Sequence, residues 1–186
     1  MSKISEIEST PNPNAMKFIL KEPLTYGVTR SYDSAAHAKD DPLASALFAI
    51  PHVTNVFYVD HWLTVTQDGQ ANWQDLLKQL AVPIRAASAE TQLQAQAAPA
   101  ENEAGVAMSI EDTLRLAQIN ELLDQQIRPY LQGDGGDLKV LKLEGNTLTI
   151  HYQGACGSCP TSLAGTLSAV ENLVRTIEPD LQLVAV

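Results

Sequence analysis

The sequence predicts an α+β fold, built as two small domains of mixed helix and strand that a flexible linker joins. Residues 86–107 are rich in Ala, Gln and Glu and contain no aromatic residue, so this stretch cannot bury enough apolar surface to fold. Stretches of alternating polarity and stretches with helical apolar spacing occur on both sides of it. The 186-residue chain therefore divides into domains at residues 1–85 and 108–186, each with a small core.

The strands of the first domain are indicated by alternation and by a turn. In residues 16–20 (MKFIL), Met16, Phe18 and Leu20 alternate with Lys17 and Ile19, which indicates a strand. Residues 53–59 (VTNVFYV) and 62–66 (WLTVT) flank Asp60-His61, and this arrangement predicts a hairpin.

The helices of the first domain are indicated by their start signals. Asp41-Pro42 opens a short helix that runs through Leu47 and Phe48. Asn72 is a plausible N-cap for a second helix, predicted to end near Pro83. Its apolar face consists of Trp73, Leu76, Leu77 and Leu80.

The second domain is predicted to have the order α-β-β-α-β. Its first helix follows Ser109, is kinked or frayed at Pro129, and ends at the GDGGD motif of residues 133–137. Residues 138–143 form a strand, Gly145-Asn146 is a two-residue turn, and a return strand follows. The inward stripe of the helix is Leu116, Ile119, Leu123, Ile127 and Tyr130, and the return strand places Leu148, Ile150 and Tyr152 on one face.

The last helix and strand complete this domain. Pro160 suits the first turn of the helix, and Pro179 is predicted to end it. Residues 181–186 are predicted to form the last strand. The inward stripe of the helix is Leu163, Leu167, Val170, Val174 and Ile177.

The composition excludes several classes of function. The formal net charge of −10 disfavours binding to nucleic acid and to anionic membranes. Residues 1–14 contain no apolar run typical of a secretory signal, and no stretch approaches the roughly 18 apolar residues of a membrane span. Two closely spaced cysteines argue against a disulfide framework. We therefore expect a cytoplasmic protein whose thiols are reduced or metal-bound.

The two cysteines, Cys156 and Cys159, form a C-x-x-C pair in the stretch GACGSCPTS, between a predicted strand and a predicted helix. A helix N-terminus offers unpaired N–H groups and a partial positive charge, which stabilise a thiolate and favour an anionic ligand. Gly154 and Gly157 let the backbone approach a bulky group closely. We therefore predict that this stretch is the functional site.

The spacing by itself leaves a thioredoxin-like dithiol, a zinc half-site and an iron–sulfur site open. A thioredoxin fold needs a βαβ crossover before its hairpin, whereas this domain begins with one helix and then a hairpin. Zinc and iron–sulfur sites usually take four ligands, and the chain supplies two thiolates. His151 is the other soft side chain of the domain, and strand alternation places it facing solvent. A symmetric dimer would complete the set of four thiolates.

The GDGGD motif, the hairpin and GACGSCPTS together resemble the C-terminal NifU-like (Nfu) domain of iron–sulfur cluster scaffold and carrier proteins. The resemblance extends over residues 109–186, and TPNPNAMKF at residues 10–18 resembles the Nfu N-terminal domain. It implies that Cys156 and Cys159 of two protomers hold a [4Fe-4S] cluster, with a [2Fe-2S] form left open. It also implies an interaction or targeting role for the first domain, which contains no cysteine.

We therefore expect a homodimeric carrier, not an enzyme, that receives clusters from upstream assembly proteins and delivers them to apo iron–sulfur proteins. Neither nucleic acid nor a membrane is expected as a partner. The alternative is a thioredoxin-like dithiol oxidoreductase with Cys156 as its nucleophile, and a zinc-bridged interaction module is the third hypothesis.

Overall fold

A computed structural model describes residues 4–87, 110–157 and 160–186 of the chain. The chain divides into two compact units, Met1–Glu101 and Asn102–Val186. Both units combine helices with strands, which confirms the predicted α+β class. Most of the predicted linker at residues 86–107 lies outside the described residues, so the predicted domain limits stay predictions.

The first unit is built on a five-stranded antiparallel sheet with the strand order β1-β2-β5-β4-β3. The strand at residues 16–20 and the hairpin of β4 and β5 are confirmed. The sequence pattern does not predict β1, which is mostly polar and mostly exposed at the sheet edge, or β3, which has three residues. The strands are β1 (Ile4–Ser9), β2 (Ala15–Leu20), β3 (Arg30–Tyr32), β4 (Val53–Val59) and β5 (Trp62–Gln67).

Two helices, α1 (Pro42–Phe48) and α2 (Trp73–Ala86), complete this unit. Both begin at a predicted N-cap. The Asp41 carboxylate accepts a first-turn N–H at 2.9 Å, and the Asn72 side chain accepts one at 2.8 Å. These bonds satisfy backbone donors that would otherwise lack a partner, and they fix where each helix starts.

The core of the first unit combines side chains of the sheet with side chains of α1 and α2. Its large, fully buried members include Phe18, Leu24, Leu47, Tyr58, Leu63, Leu80 and Ile84. Because Ile84 belongs to this core, α2 continues past Pro83, and its predicted end near Pro83 is wrong. A proline this close to a helix end removes one hydrogen bond, which the burial of Ile84 offsets.

The second unit has the predicted order of elements, with its first helix broken in two. The elements are α3 (Ile110–Gln126), α4 (Arg128–Gly133), β6 (Gly136–Glu144), β7 (Thr147–Gly154), α5 (Pro160–Val174) and β8 (Gln182–Ala185). β6 and β7 form an antiparallel hairpin that turns at Gly145 and Asn146, as predicted. β8 pairs with β7 in parallel, so α5 forms the crossover between them.

The break in the first helix changes which residues face the core. Ile119 and Leu123 are fully buried, as predicted, but Tyr130 is 76% exposed, so its predicted inward position is wrong. Helix α4 starts anew at Arg128 with a proline in its first turn. The new start shifts the helical phase, and Leu131 becomes the buried residue.

Helix α5 begins at Pro160, as predicted, and buries Val170 and Val174. It ends at Val174 rather than at Pro179, because the chain tightens there into i→i+3 turns. Ile177 lies in these turns and is exposed, so its predicted inward position is wrong. The predicted last strand is confirmed as β8.

The register of β6 with β7 places the GDGGD motif beside the cysteine turn. Gly136 pairs with Gly154 across the two strands. The Ala155 N–H donates to the Gly135 carbonyl at 3.1 Å. Strand pairing thus joins two motifs that are separate in the sequence.

Candidate metal centre

Cys156 lies in the turn between β7 and α5, and it is 4% exposed. It packs within the hydrophobic cluster of the second unit. Cys159, the other predicted ligand, lies outside the described residues. The structure therefore places one predicted ligand, and it places this thiol in the core rather than at the surface.

The Gly136 backbone packs directly against the Cys156 sulfur. A Cβ atom at position 136 would lie 2.6 Å from that sulfur and 2.6 Å from the Gln153 carbonyl oxygen, closer than real contacts allow. The sequence pattern favours a helix stop for Gly135 and Gly136. A helix stop needs one glycine, so the second glycine is the signal that could have revealed this contact.

The cysteine turn depends on two further glycines. The Gly157 N–H donates to the Gly154 carbonyl at 3.2 Å, and Gly154 has a φ of +66°, which favours glycine. A Cβ atom at Gly157 would lie 2.9 Å from the Tyr152 carbonyl oxygen. The backbone therefore packs closely around Cys156 on both of its flanks.

Tyr152 is a polar group of the site, although the sequence pattern predicts it only as a core residue. It lies on the buried face of β7 and is 5% exposed, and its hydroxyl has no hydrogen-bond partner among the described residues. Burial, together with the negative charge of a Cys156 thiolate, raises the pKa of Tyr152 to about 12. The hydroxyl thus stays protonated at neutral pH and can donate. The available signal was a tyrosine on a strand face that is otherwise aliphatic.

Asp137, the last residue of the GDGGD motif, is a buried carboxylate, 3% exposed. Its Oδ1 accepts the Leu138 N–H at 2.7 Å and lies 3.4 Å from the Arg128 guanidinium, which also pairs with Asp124 at 2.5 Å. Burial raises the pKa of Asp137 above its ordinary value, against the opposing effects of the Leu138 N–H and of Arg128. These bonds tie α3 and α4 to the start of β6, and so they help hold Gly136 beside Cys156.

His151, the third soft side chain near the motif, is directed elsewhere. Its Nδ1 lies 2.6 Å from the backbone oxygen of Val186. Strand alternation places it on the face of β7 opposite Tyr152. It is half-buried, so its predicted solvent-facing position holds only in part.

The histidines of the first unit do not assemble a metal site. His37 pairs with Asp33 at 2.6 Å, and His52 pairs with Asp68 at 2.9 Å. Within residues 4–87, 110–157 and 160–186, no group of three or more His, Cys, Asp and Glu side chains could hold a metal ion. A four-ligand site at Cys156 therefore needs ligands from outside these ranges or from another chain.

The surroundings of Cys156 fit a bulky anionic ligand. Glycines at positions 136 and 157 let the backbone pack against the cysteine turn where a side chain would clash, and the Tyr152 hydroxyl is a buried donor. Helix α5 begins shortly after the turn, and its N-terminus adds N–H groups and a partial positive charge. An iron–sulfur cluster requires thiolates and accepts hydrogen bonds at its sulfurs, so it suits these features.

Two family models match the chain. Residues 4–90 match the model for scaffold protein Nfu/NifU N terminal, and residues 119–184 match the model for the NifU-like domain. The GDGGD motif and the cysteine turn both lie within the second match.

Curated relatives are similar over nearly the whole chain. The chain is 33% identical to the human NFU1 iron-sulfur cluster scaffold homolog, mitochondrial, over 95% of the chain and 69% of that protein. It is 32% identical to NifU-like protein 5, mitochondrial, of Arabidopsis thaliana, over 91% of the chain and 62% of that protein. The solution NMR structure of a NifU-like protein from Saccharomyces cerevisiae is 22% identical, with a TM-score of 0.37, over 42% of this chain and 72% of that chain.

The predicted cytoplasmic location is wrong by these comparisons. The human and Arabidopsis relatives are named as mitochondrial proteins. The two closely spaced cysteines argue only against a disulfide framework, so they cannot distinguish one reducing compartment from another. Among the described helices, none is long and apolar enough to cross a membrane.

Proposed function

The chain belongs to the Nfu/NifU-like family of iron–sulfur cluster scaffold proteins, and we propose that it binds a [4Fe-4S] cluster and delivers it to apo-proteins. The family resemblance predicted from the motifs is thereby confirmed. The observation that best supports the finer proposal is the close approach of the Gly136 backbone to Cys156, since a side chain at position 136 would lie 2.6 Å from the sulfur.

The cluster would be held by Cys156 and Cys159 of two copies of the chain. Each copy supplies two thiolates, and a [4Fe-4S] cluster takes four. A two-fold axis through the cluster would give both copies the same contacts. The loaded form is therefore a homodimer in this proposal.

Loading requires that Cys156 become accessible. A cluster shared by two copies lies at the surface of each, whereas Cys156 is 4% exposed. The turn that carries Cys156 would therefore open on loading, next to the paired strands β6 and β7 that contain Gly136 and Tyr152. Burial of the unloaded thiol would also protect it from oxidation, because exposed thiolates are the ones that oxidise.

Delivery would proceed by ligand exchange. Thiolates of the acceptor protein displace Cys156 and Cys159 one at a time, so each iron–sulfur bond that breaks is replaced by another. The exchange leaves the oxidation state of the cluster unchanged and needs no catalytic residue on this chain. The role is that of a carrier rather than an enzyme, between upstream cluster-assembly proteins and apo iron–sulfur proteins.

The first unit would serve recognition rather than cluster binding. It contains no cysteine and so offers no thiolate ligand. We assign to it contacts with the proteins that supply or receive the cluster.

Anaerobic reconstitution with iron and sulfide tests this proposal. We expect a broad absorption band near the violet edge of the visible spectrum, one cluster per two chains, and a shift from monomer to dimer on loading. Cys156→Ser and Cys159→Ser should each abolish the band, because a hydroxyl is a poor ligand for a cluster held by thiolates. His151→Ala is the matched control and should retain the cluster, because this ring lies on the opposite face of β7.

Two results would contradict the proposal. Unchanged cluster content in Cys159→Ser would mean that the ligand assignment is wrong. Turnover in a disulfide-reductase assay by the iron-free chain, without cluster uptake, would instead support the dithiol oxidoreductase.

A further inference from the structure

Tyr152 carries a buried hydroxyl that forms no hydrogen bond with the residues that the structure describes. The ring lies on the buried face of β7, in the hydrophobic cluster that also contains Cys156. Its oxygen is fully buried and meets no hydrogen-bond partner within the described residues. A buried donor without a partner lowers stability, whereas a phenylalanine would fill the same space without that cost.

The composition of this hydrophobic cluster limits what the hydroxyl can bind. Its buried members are Ile119, Leu123, Ile127, Leu131, Leu138, Leu143, Leu148, Ile150, Tyr152, Cys156, Val170, Val174 and Leu181. Among these residues, the side-chain atoms other than carbon are the Tyr152 oxygen and the Cys156 sulfur. Tyr152 and Cys156 are thus buried in the same cluster, and burial together with the negative charge of Cys156 raises the pKa of Tyr152.

We propose that the Tyr152 hydroxyl donates a hydrogen bond to sulfur at Cys156 when this residue carries a cluster, and that Tyr152 thereby holds the cargo in place. The inference rests on the proposed function. Tyr152 is a positioning residue here, since it acts through the sulfur of Cys156 and does not ligate iron.

The strength of a hydrogen bond from Tyr152 to Cys156 would depend on the state of the sulfur. A neutral thiol is a weak acceptor, whereas an iron-bound thiolate carries negative charge and accepts a stronger, charge-assisted bond. The hydrogen bond therefore gains most of its strength on loading. Loss of the cluster returns the hydroxyl to its unsatisfied state.

Tyr152→Phe tests the inference in the full-length chain, because it removes the oxygen and keeps the ring. We expect the reconstituted variant to lose its cluster to a ferrous-iron chelator about tenfold faster than the unaltered chain, the effect of one hydrogen bond to a charged group. We also expect a shift of the iron–sulfur stretching bands in the resonance Raman spectrum. The urea midpoint of the unloaded variant should be unchanged or higher, since no hydrogen bond is lost there.

Tyr130→Phe is the matched control. It removes a hydroxyl from an exposed tyrosine of the same unit and should change neither the cluster lifetime nor the Raman bands. A purely structural role for Tyr152 predicts the opposite pattern, with a lower urea midpoint and an unchanged lifetime.

The outcomes separate this inference from the proposed function. Equal cluster lifetimes and equal Raman bands in Tyr152→Phe and the unaltered chain would overturn the inference alone. A lower urea midpoint without a shorter lifetime would overturn it as well. If the unaltered chain takes up no cluster at all, both the proposed function and the inference fail.

Discussion

Tyr58 in the first unit and Tyr152 in the second are both buried tyrosines on internal strands of their sheets, but their hydroxyls meet different surroundings. The Tyr58 hydroxyl donates to the buried carboxylate of Asp41. The Tyr152 hydroxyl has no such acceptor among the residues that the structure describes. The Tyr58 hydroxyl thus forms a hydrogen bond within its own fold. The Tyr152 hydroxyl is instead a buried donor in the hydrophobic cluster that contains Cys156.

The Asp41 network shows what a structural role looks like. Asp41 accepts from Tyr58, from Tyr32 at 2.8 Å, and from the N-terminus of helix α1 at 2.9 Å. Burial and the neighbouring Asp41 charge raise the pKa of both phenols well above its ordinary value, so both remain donors. A buried polar group whose partners all come from the fold is explained by stability. A buried polar group that has no partner in the fold is better evidence that a ligand binds nearby.

The largest expected effect comes from Gly136→Ala, which adds a methyl group where the backbone packs against the Cys156 sulfur. The added Cβ would lie 2.6 Å from the sulfur and from a backbone carbonyl that cannot turn away. We expect the free energy of unfolding of the second unit to fall by about 3 kcal/mol, as for overpacked cores, and cluster uptake to be lost. Circular dichroism during urea unfolding, with iron content after reconstitution, measures both.

Gly133→Ala is the control for that variant, because nothing lies within 4 Å of its added Cβ. We expect unchanged cluster uptake and stability equal to or up to about 1 kcal/mol above the unaltered chain, since the position is helical. Normal cluster uptake by Gly136→Ala would show that cluster binding does not require the close packing of glycine against the Cys156 sulfur.

An intermediate effect is expected from Tyr58→Phe, the counterpart of Tyr152→Phe. Removing this donor leaves the buried Asp41 carboxylate one hydrogen bond short, at a cost of about 2 kcal/mol. Both tryptophans, Trp62 and Trp73, lie in the first unit, so tryptophan fluorescence during urea unfolding reports this loss directly. The proposed difference between the two tyrosines would be contradicted if Tyr58→Phe and Tyr152→Phe changed the urea midpoints of their units by the same amount in the same direction.

The smallest expected effect is a pH dependence that originates at Asp137. Because burial raises its pKa in the folded state, the carboxyl stabilises the second unit most at low pH. This contribution is lost as the pH rises from the ordinary aspartate value of about 3.9 through the raised folded value. The stability of the unaltered chain relative to Asp137→Asn should therefore fall as the pH rises through that window, measured by circular dichroism.

Asp134→Asn supplies the control, as it removes an exposed carboxylate from the same motif. A parallel pH profile in the unaltered chain and in Asp137→Asn would show that Asp137 does not contribute.

The sequence predicts the elements whose signals are local. The N-caps Asp41 and Asn72, the turn at Gly145 and the inward face of β7 all follow from residue type and spacing, and the structure confirms them. The misses occur where tertiary contacts outweigh local signals. The edge strand β1 is defined by its pairing with β2, and α2 continues past Pro83 because Ile84 is buried.

The sequence by itself determined the family, the α+β class and the C-x-x-C pair at Cys156 and Cys159, because these depend on motif and periodicity. Only the tertiary structure decided which groups surround Cys156. The pairing of β6 with β7 brings Gly136 to the sulfur, and packing of the core leaves the Tyr152 hydroxyl without a partner in the described residues. Spacing along the chain cannot show either fact, since both depend on which atoms the fold brings within a few ångströms of each other.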